Sequence, residues 1–225
     1  MNIYFLVEGR TEQHVYPKLL SYLVPNLKKV DHFDEVAESN YFIFTARGYP
    51  SILDMILTAV EDINAIGRYS HLVVCLDADE ATVQERIQEV ERMVPSESDE
   101  LNVKLVIIVQ NRCFETWFLG NGKVYPRNPQ DETFKRYCKF YNVSKKDPEL
   151  MPKSFDLSYG QFHKDYLKKM LKEKNIHYTE QHPRGVGEEP YIKALQKRVE
   201  DSPEHLKTLQ KFFSFCENLR RSNFE

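Results

Sequence analysis

His71-Leu72-Val73-Val74-Cys75-Leu76-Asp77-Ala78-Asp79-Glu80 is the stretch on which the fold turns. A near-continuous apolar run that stops abruptly in acids reads as a strand covered on both faces, ending in an acidic turn. Three other runs share this form. Asn2–Val7 leads into Glu8-Gly9-Arg10-Thr11-Glu12, Asn40–Thr45 into Ala46-Arg47-Gly48-Tyr49, and Val103–Val109 into Gln110-Asn111-Arg112. Between them lie stretches with apolar residues at helical spacing. Thr11–Val24 carries Val15, Leu19, Leu20 and Leu23, with Thr11 as N-cap and Pro25 as stop. Ser51–Ile66 carries Ile52, Met55, Ile56, Ala59, Val60 and Ile63, with Gly67 beyond its end. Glu80–Met93 is charged and amphipathic, and Pro95 with the polar loop Ser96–Glu100 closes it. This β-α-β-α-β-α-β succession predicts an α/β, three-layer, Rossmann-like domain with a four-stranded, mainly parallel sheet and right-handed crossovers.

After Arg112 the character changes. A short helix is expected at Cys113–Leu119, then a turn-rich loop, Gly120–Pro129. Four further helices are expected at Glu132–Tyr141, Tyr159–Lys174, Pro190–Glu200 and Pro203–Arg221, with Gly185-Val186-Gly187 as a loop between. The expected division is residues 1–119 as the α/β domain and 120–225 as a helical, basic region packed on it or appended to it.

The 225 residues carry a net charge of −3, which conceals an asymmetry. Residues 1–112 hold 10 Lys and Arg against 18 Asp and Glu, and the rest hold 21 against 16. An acidic half beside a basic half suits a cation site with an attached polyanion-binding surface, and equally suits two solvated faces. The apolar runs fall far short of a membrane span, and the N-terminus reads as a strand rather than a signal peptide. Cys75, Cys113, Cys138 and Cys216 lie far apart, without C-x-x-C or zinc-finger spacing. A reduced, cytoplasmic protein without structural zinc is expected.

Ligands of an open parallel sheet bind beyond the carboxyl ends of its strands, so the residues just past each strand are the candidate site. The spacing of Asp77 and Asp79 puts both on one face of a strand end, where both can turn toward one cation. Mg²⁺ prefers oxygen and keeps several waters, so two or three carboxylates with substrate phosphates suffice. Clustered acids without a cation raise one another's pKa, which points to a metal or a shared proton. Arg10, Arg47 and Arg112 are candidate phosphate contacts, because guanidinium groups match phosphate oxygens bidentately. Glu12 and Glu80 sit at helix starts, where acids favour the dipole. The lysine-rich helix from Lys164 to Lys174 reads first as amphipathic with a solvated face, and second as a phosphate-backbone track.

Val7-Glu8-Gly9-Arg10-Thr11-Glu12 followed by Leu76-Asp77-Ala78-Asp79-Glu80 resembles the Toprim domain of topoisomerases, bacterial primases and OLD-type nucleases, over about residues 1–112. Asn111-Arg112-Cys113-Phe114-Glu115-Thr116-Trp117-Phe118-Leu119 resembles a segment of small RloB-like Toprim proteins, often found near restriction or phage-defence genes. The resemblance implies a Mg²⁺-dependent nuclease hydrolysing DNA or RNA, with Mn²⁺ able to substitute. It implies Glu8 as general acid or base, or as a metal ligand, beside Asp77 and Asp79 as metal ligands. Glu115 is an extra acid of the small-protein branch, and Arg47 a candidate catalytic cation. An anti-phage effector role with an ATPase partner protein is a further expectation. The alternatives are a non-catalytic nucleic-acid-binding or regulatory module, and a small-phosphoester hydrolase with Asp77 as nucleophile.

Overall fold

A computed structural model describes residues 1–94, 102–154 and 156–222. The expected loop Ser96–Glu100 lies outside the described residues. The chain divides into two compact units. The first comprises residues 1–76, 83–109 and 212 onward, and the second 77–82 and 110–211.

The sheet has five strands: β1 (Ile3–Val7), β2 (Lys28–Lys29), β3 (Asn40–Thr45), β4 (His71–Asp77) and β5 (Lys104–Gln110), in the order β2-β3-β1-β4-β5. β1 pairs in parallel with β3 on one side and β4 on the other, with Val7 opposite Thr45 and Cys75. The four-stranded sheet expected from sequence is therefore one strand short. The extra strand, β2, is two exposed lysines paired in parallel with β3 at the edge. A polar pair has no apolar periodicity to announce it, and charged residues are what keeps a sheet edge from pairing further. The central strands bear out their sequence. All of β1 and all of β4 after His71 are buried, as expected of strands covered on both faces.

Three helices of the first unit connect these strands. α1 is Arg10–Leu23, α2 is Ser51–Ile66 and α3 is Val83–Met93. α2 buries Ile52, Ile56, Ala59, Val60 and Ile63, and ends where Gly67 takes a left-handed conformation at φ 63. α1 starts earlier than expected. Gly9, not Thr11, is its N-cap, and the buried Glu12 carboxylate folds back so closely that a Cβ on Gly9 would lie 3.0 Å from Oε2. The unit is completed by aromatic residues near the C-terminus: Phe212 packs against Tyr16, and Phe215 against Phe5 and His71.

The second unit is helical: α4 (Phe114–Phe118), α5 (Glu132–Phe140), α6 (Tyr159–Lys172), α7 (Glu189–Asp201) and the start of α8 (Lys207–Ser222). Its core holds Phe114, Trp117, Phe118, Phe134, Phe162, Tyr166 and Leu167, all fully buried. Asp131 caps α5 by accepting from the Phe134 amide, and Ser158 with Gln161 forms a capping box on α6.

Candidate functional site

In the first unit, the sheet register brings the ends of β1 and β3 together. The Ala46 amide donates to Val7 at 2.9 Å and the Gly48 amide to the Glu8 carbonyl at 2.8 Å. The turn that does this is unusual, because Arg47 and Gly48 both have positive φ, at 68° and 112°. An arginine in the left-handed region is held there against its own preference, a condition that concentrates at functional turns. Arg47 is exposed and Glu8 is half-buried at this edge. Next to it, the Arg86 guanidinium stacks 3.7 Å from the Tyr49 ring and pairs with Glu89 at 2.7 Å.

Asp77, Asp79 and Glu115 belong to the second unit. Asp77 is the last residue of β4, and Asp79 follows with a left-handed φ of 51°. That backbone is pinned from β5's exit. The Ala78 amide donates to Gln110 at 2.9 Å and the Asp79 amide to Arg112 at 2.7 Å. Arg112, itself left-handed at φ 74, donates from Nη1 to the carbonyls of Asp79 and Ala81. Its guanidinium lies 3.8 Å from the centre of the Tyr159 ring. The residue expected as a phosphate clamp thus has a structural task, tying the acidic turn to the start of α6. Glu80 adds a second tie, accepting from the Tyr159 amide and from Lys153 Nζ. Those two donors hold the Glu80 carboxyl below its ordinary pKa.

The first turn of α6 comes close to Asp79. A Cβ built on Gly160 would lie 3.3 Å from Asp79 Oδ1, so the missing side chain is what admits the carboxylate. An aspartate beside a helix N-terminus is electrostatically favoured.

Glu115, on α4, is 1% exposed and accepts a hydrogen bond from the Tyr178 hydroxyl at 2.9 Å. Burial, and then the Glu115 charge, push the Tyr178 phenol far up. Lys164 on α6 faces the same acids. Burial would lower its pKa, but the nearby carboxylates of Glu115 and Asp77 outweigh this and keep the ammonium charged. Cys113 is fully buried, and burial with these same two carboxylates pushes its thiol well up, so it is no thiolate nucleophile. Behind the cluster, His163 joins Thr116 at 2.8 Å and the Met151 carbonyl, and burial lowers its pKa to about 4, leaving it neutral.

Sequence reading missed Lys164, Tyr178 and Gly160. One signal was available for two of them. Gly160 recurs with Leu167 and Leu171 at i, i+7 and i+11 in the buried stripe of the helix, and Lys164, at i+4, lies at its half-buried margin.

Among the described residues, no group of three or more His, Cys, Asp or Glu side chains is gathered so as to hold a metal ion. Asp77 and Asp79 on their own are a hard, anionic donor pair. They fit a magnesium ion that takes one or two protein carboxylates and fills its other positions with water and phosphate oxygens.

No family model matches the chain. No curated protein and no solved structure matches it either. No helix among the described residues is long and apolar enough to cross a membrane.

Proposed function

We propose that the chain is a Toprim-like, Mg²⁺-dependent nuclease that hydrolyses phosphodiester bonds of DNA or RNA at the turn holding Asp77 and Asp79. The observation that carries this reading is the backbone of that turn. Asp79 is held left-handed, two residues after Asp77, at the carboxyl end of a strand in a parallel sheet, by the carbonyl and the guanidinium of Arg112. Strain maintained by dedicated contacts, at the edge where such sheets bind ligands, supports placing a working site there.

Asp77 and Asp79 would hold the metal. A bound Mg²⁺ supplies charge neutralisation at the scissile phosphate and an acidified water. Glu8, directly after β1, would take a proton from the nucleophile or return one to the leaving oxygen. Lys164 holds a positive charge beside Asp77 and Glu115, limiting their mutual repulsion. Arg47, exposed at the Glu8 turn, would contact a non-scissile phosphate.

A second reading has an observation of its own. Because Lys164 already supplies a positive charge to Asp77 and Glu115, these acids are offset in part without a metal, which suits a module that binds nucleic acid without cutting it.

The deciding experiment incubates purified protein with Mg²⁺ or Mn²⁺ and end-labelled DNA and RNA, beside Glu8→Ala and the near-isosteric Asp77→Asn. We expect cleavage by the parent chain and a fall of about 10²–10⁴-fold in Glu8→Ala, the usual worth of a general acid or base. Cleavage that survives both substitutions sinks the assignment. Binding without cleavage under every metal condition selects the second reading.

A further inference from the structure

Far along the chain from the acidic turn, the loop Gly122–Gln130 and the end of α6 enclose a cleft of about 620 Å³. This volume is in the range of small-ligand sites. Lys123, Arg127 and Lys174 line it, with Tyr125 and Glu173.

Three lysines of α6 are paired with carboxylates, and among the described residues the cations of this cleft are not. Lys164 and Lys168 reach Glu180 at 3.7 and 3.8 Å, and Lys169 reaches Asp165 at 3.8 Å. None of Lys123, Arg127 and Lys174 has a carboxylate partner among the described residues. The single acid lining the cleft is already engaged. Glu173 accepts from the Gln130 amide with both oxygens, at 3.0 and 2.9 Å, and from the Asp131 amide at 2.7 Å. That carboxylate fastens the loop to α6 and makes no ion pair with the cations, so the lining carries three positive charges against one negative. The favourable field at a helix C-terminus explains a cation at Lys174, but not at Lys123 or Arg127, which sit on the loop. Three like charges held around one concavity repel one another, and a polyanion relieves this. Tyr125, half-buried in the lining, adds an aromatic surface of the kind on which bases stack.

We propose that this cleft binds phosphate groups of a nucleotide chain through Lys123, Arg127 and Lys174. It is a second anion site, and it does not depend on the Asp77–Asp79 turn cleaving anything.

The test measures binding of a fluorescein-labelled 12-nucleotide single strand, as DNA and as RNA, by anisotropy in EDTA between 50 and 200 mM NaCl. The parent chain is compared with the triple variant Lys123→Gln/Arg127→Gln/Lys174→Gln. A charge-matched control, Lys193→Gln/Lys197→Gln/Lys211→Gln, alters α7 and α8 instead. Each phosphate contact in a single strand contributes about 0.7 to the slope of log K against log salt. The cleft variant is expected to lose about 2 from that slope, and the control to keep it. Unlabelled AMP and pyrophosphate are then added as competitors. Displacement by them at low concentration assigns the cleft to a terminal or free phosphate, and displacement by oligonucleotide alone assigns it to the chain backbone. No binding by the parent, or an equal loss of slope in both variants, overturns the proposal. Because EDTA suppresses cleavage, a failure here is separate from failure of the nuclease reading.

Discussion

Glu149 is a buried carboxyl whose pKa is raised to about 7, by burial first, and further by the neighbouring Asp147. The Thr208 amide and hydroxyl oppose the rise by donating to it. Since the folded chain holds this proton more tightly than the unfolded one, its contribution to stability is greatest below the ordinary value of 4.5. That contribution declines as pH rises toward 7 and is flat above. At about 1.36 kcal/mol per unit, the decline is on the order of 3 kcal/mol. Glu149→Gln removes the titration. Urea unfolding at pH 5 and pH 8 should therefore show a smaller loss of stability with pH in the variant than in the parent. An unchanged difference would refute the assignment. Gly160 makes the opposite kind of test, one of function without stability. A methyl there would lie 3.3 Å from the Asp79 carboxylate, whereas alanine is the better helix former by up to about 1 kcal/mol. Gly160→Ala should keep or raise the melting temperature and lower any cleavage. A fall in both would mean that the glycine serves the fold alone.

Among the elements, α8 depends on a distant cap. Its start is held by Asp147, which accepts from the Leu206 amide at 3.0 Å, and by Glu149, which accepts from Thr208. The Thr208 hydroxyl in turn accepts from Trp117 Nε1 at 2.8 Å. Thr208→Val leaves the indole N–H and one carboxylate oxygen without that partner in a buried place. The expected loss is about 1–3 kcal/mol by denaturant titration; a loss below about 0.5 kcal/mol would show that the network relaxes around the gap. None of this was legible from sequence, since the partners are 59 residues apart and no local pattern links them. The strands were legible for the converse reason. β1 and β4 are buried throughout, so nearly every residue carries the apolar signature, whereas β2 is two lysines. Helix ends fell between: α2 ran from Ser51 to Ile66 as its periodicity indicated, but α8 begins at Lys207, not Pro203, because its start is set by Asp147 and Glu149.

At the scale of the whole chain, the acids of the candidate site were legible as strand-end residues, and the structure keeps Asp77 and Asp79 at the exit of β4 and Glu8 directly after β1. The cations were not so legible. Arg112 looked like a ligand for phosphate and is tied to backbone carbonyls and a tyrosine ring, while Lys164 looked solvated and is partly buried among acids. A long cation can point either way from the same backbone position, so its spacing says less than that of a short acid. The chain passes between its two units at 76/77, 82/83, 109/110 and 211/212, a threading that no composition shift along the sequence marks.

That threading sets an order of events while the polypeptide is being made. The segment with Asp77 and Asp79 emerges from the ribosome well before Arg112, its anchor 33 positions later, and before Tyr159 and Gly160 have been added. Until those residues arrive, the nascent turn lacks the contacts that hold Asp79 left-handed. A messenger truncated after the last long strand would therefore yield a chain with Glu8, Asp77 and Asp79 but without the contacts that shape the Asp79 turn.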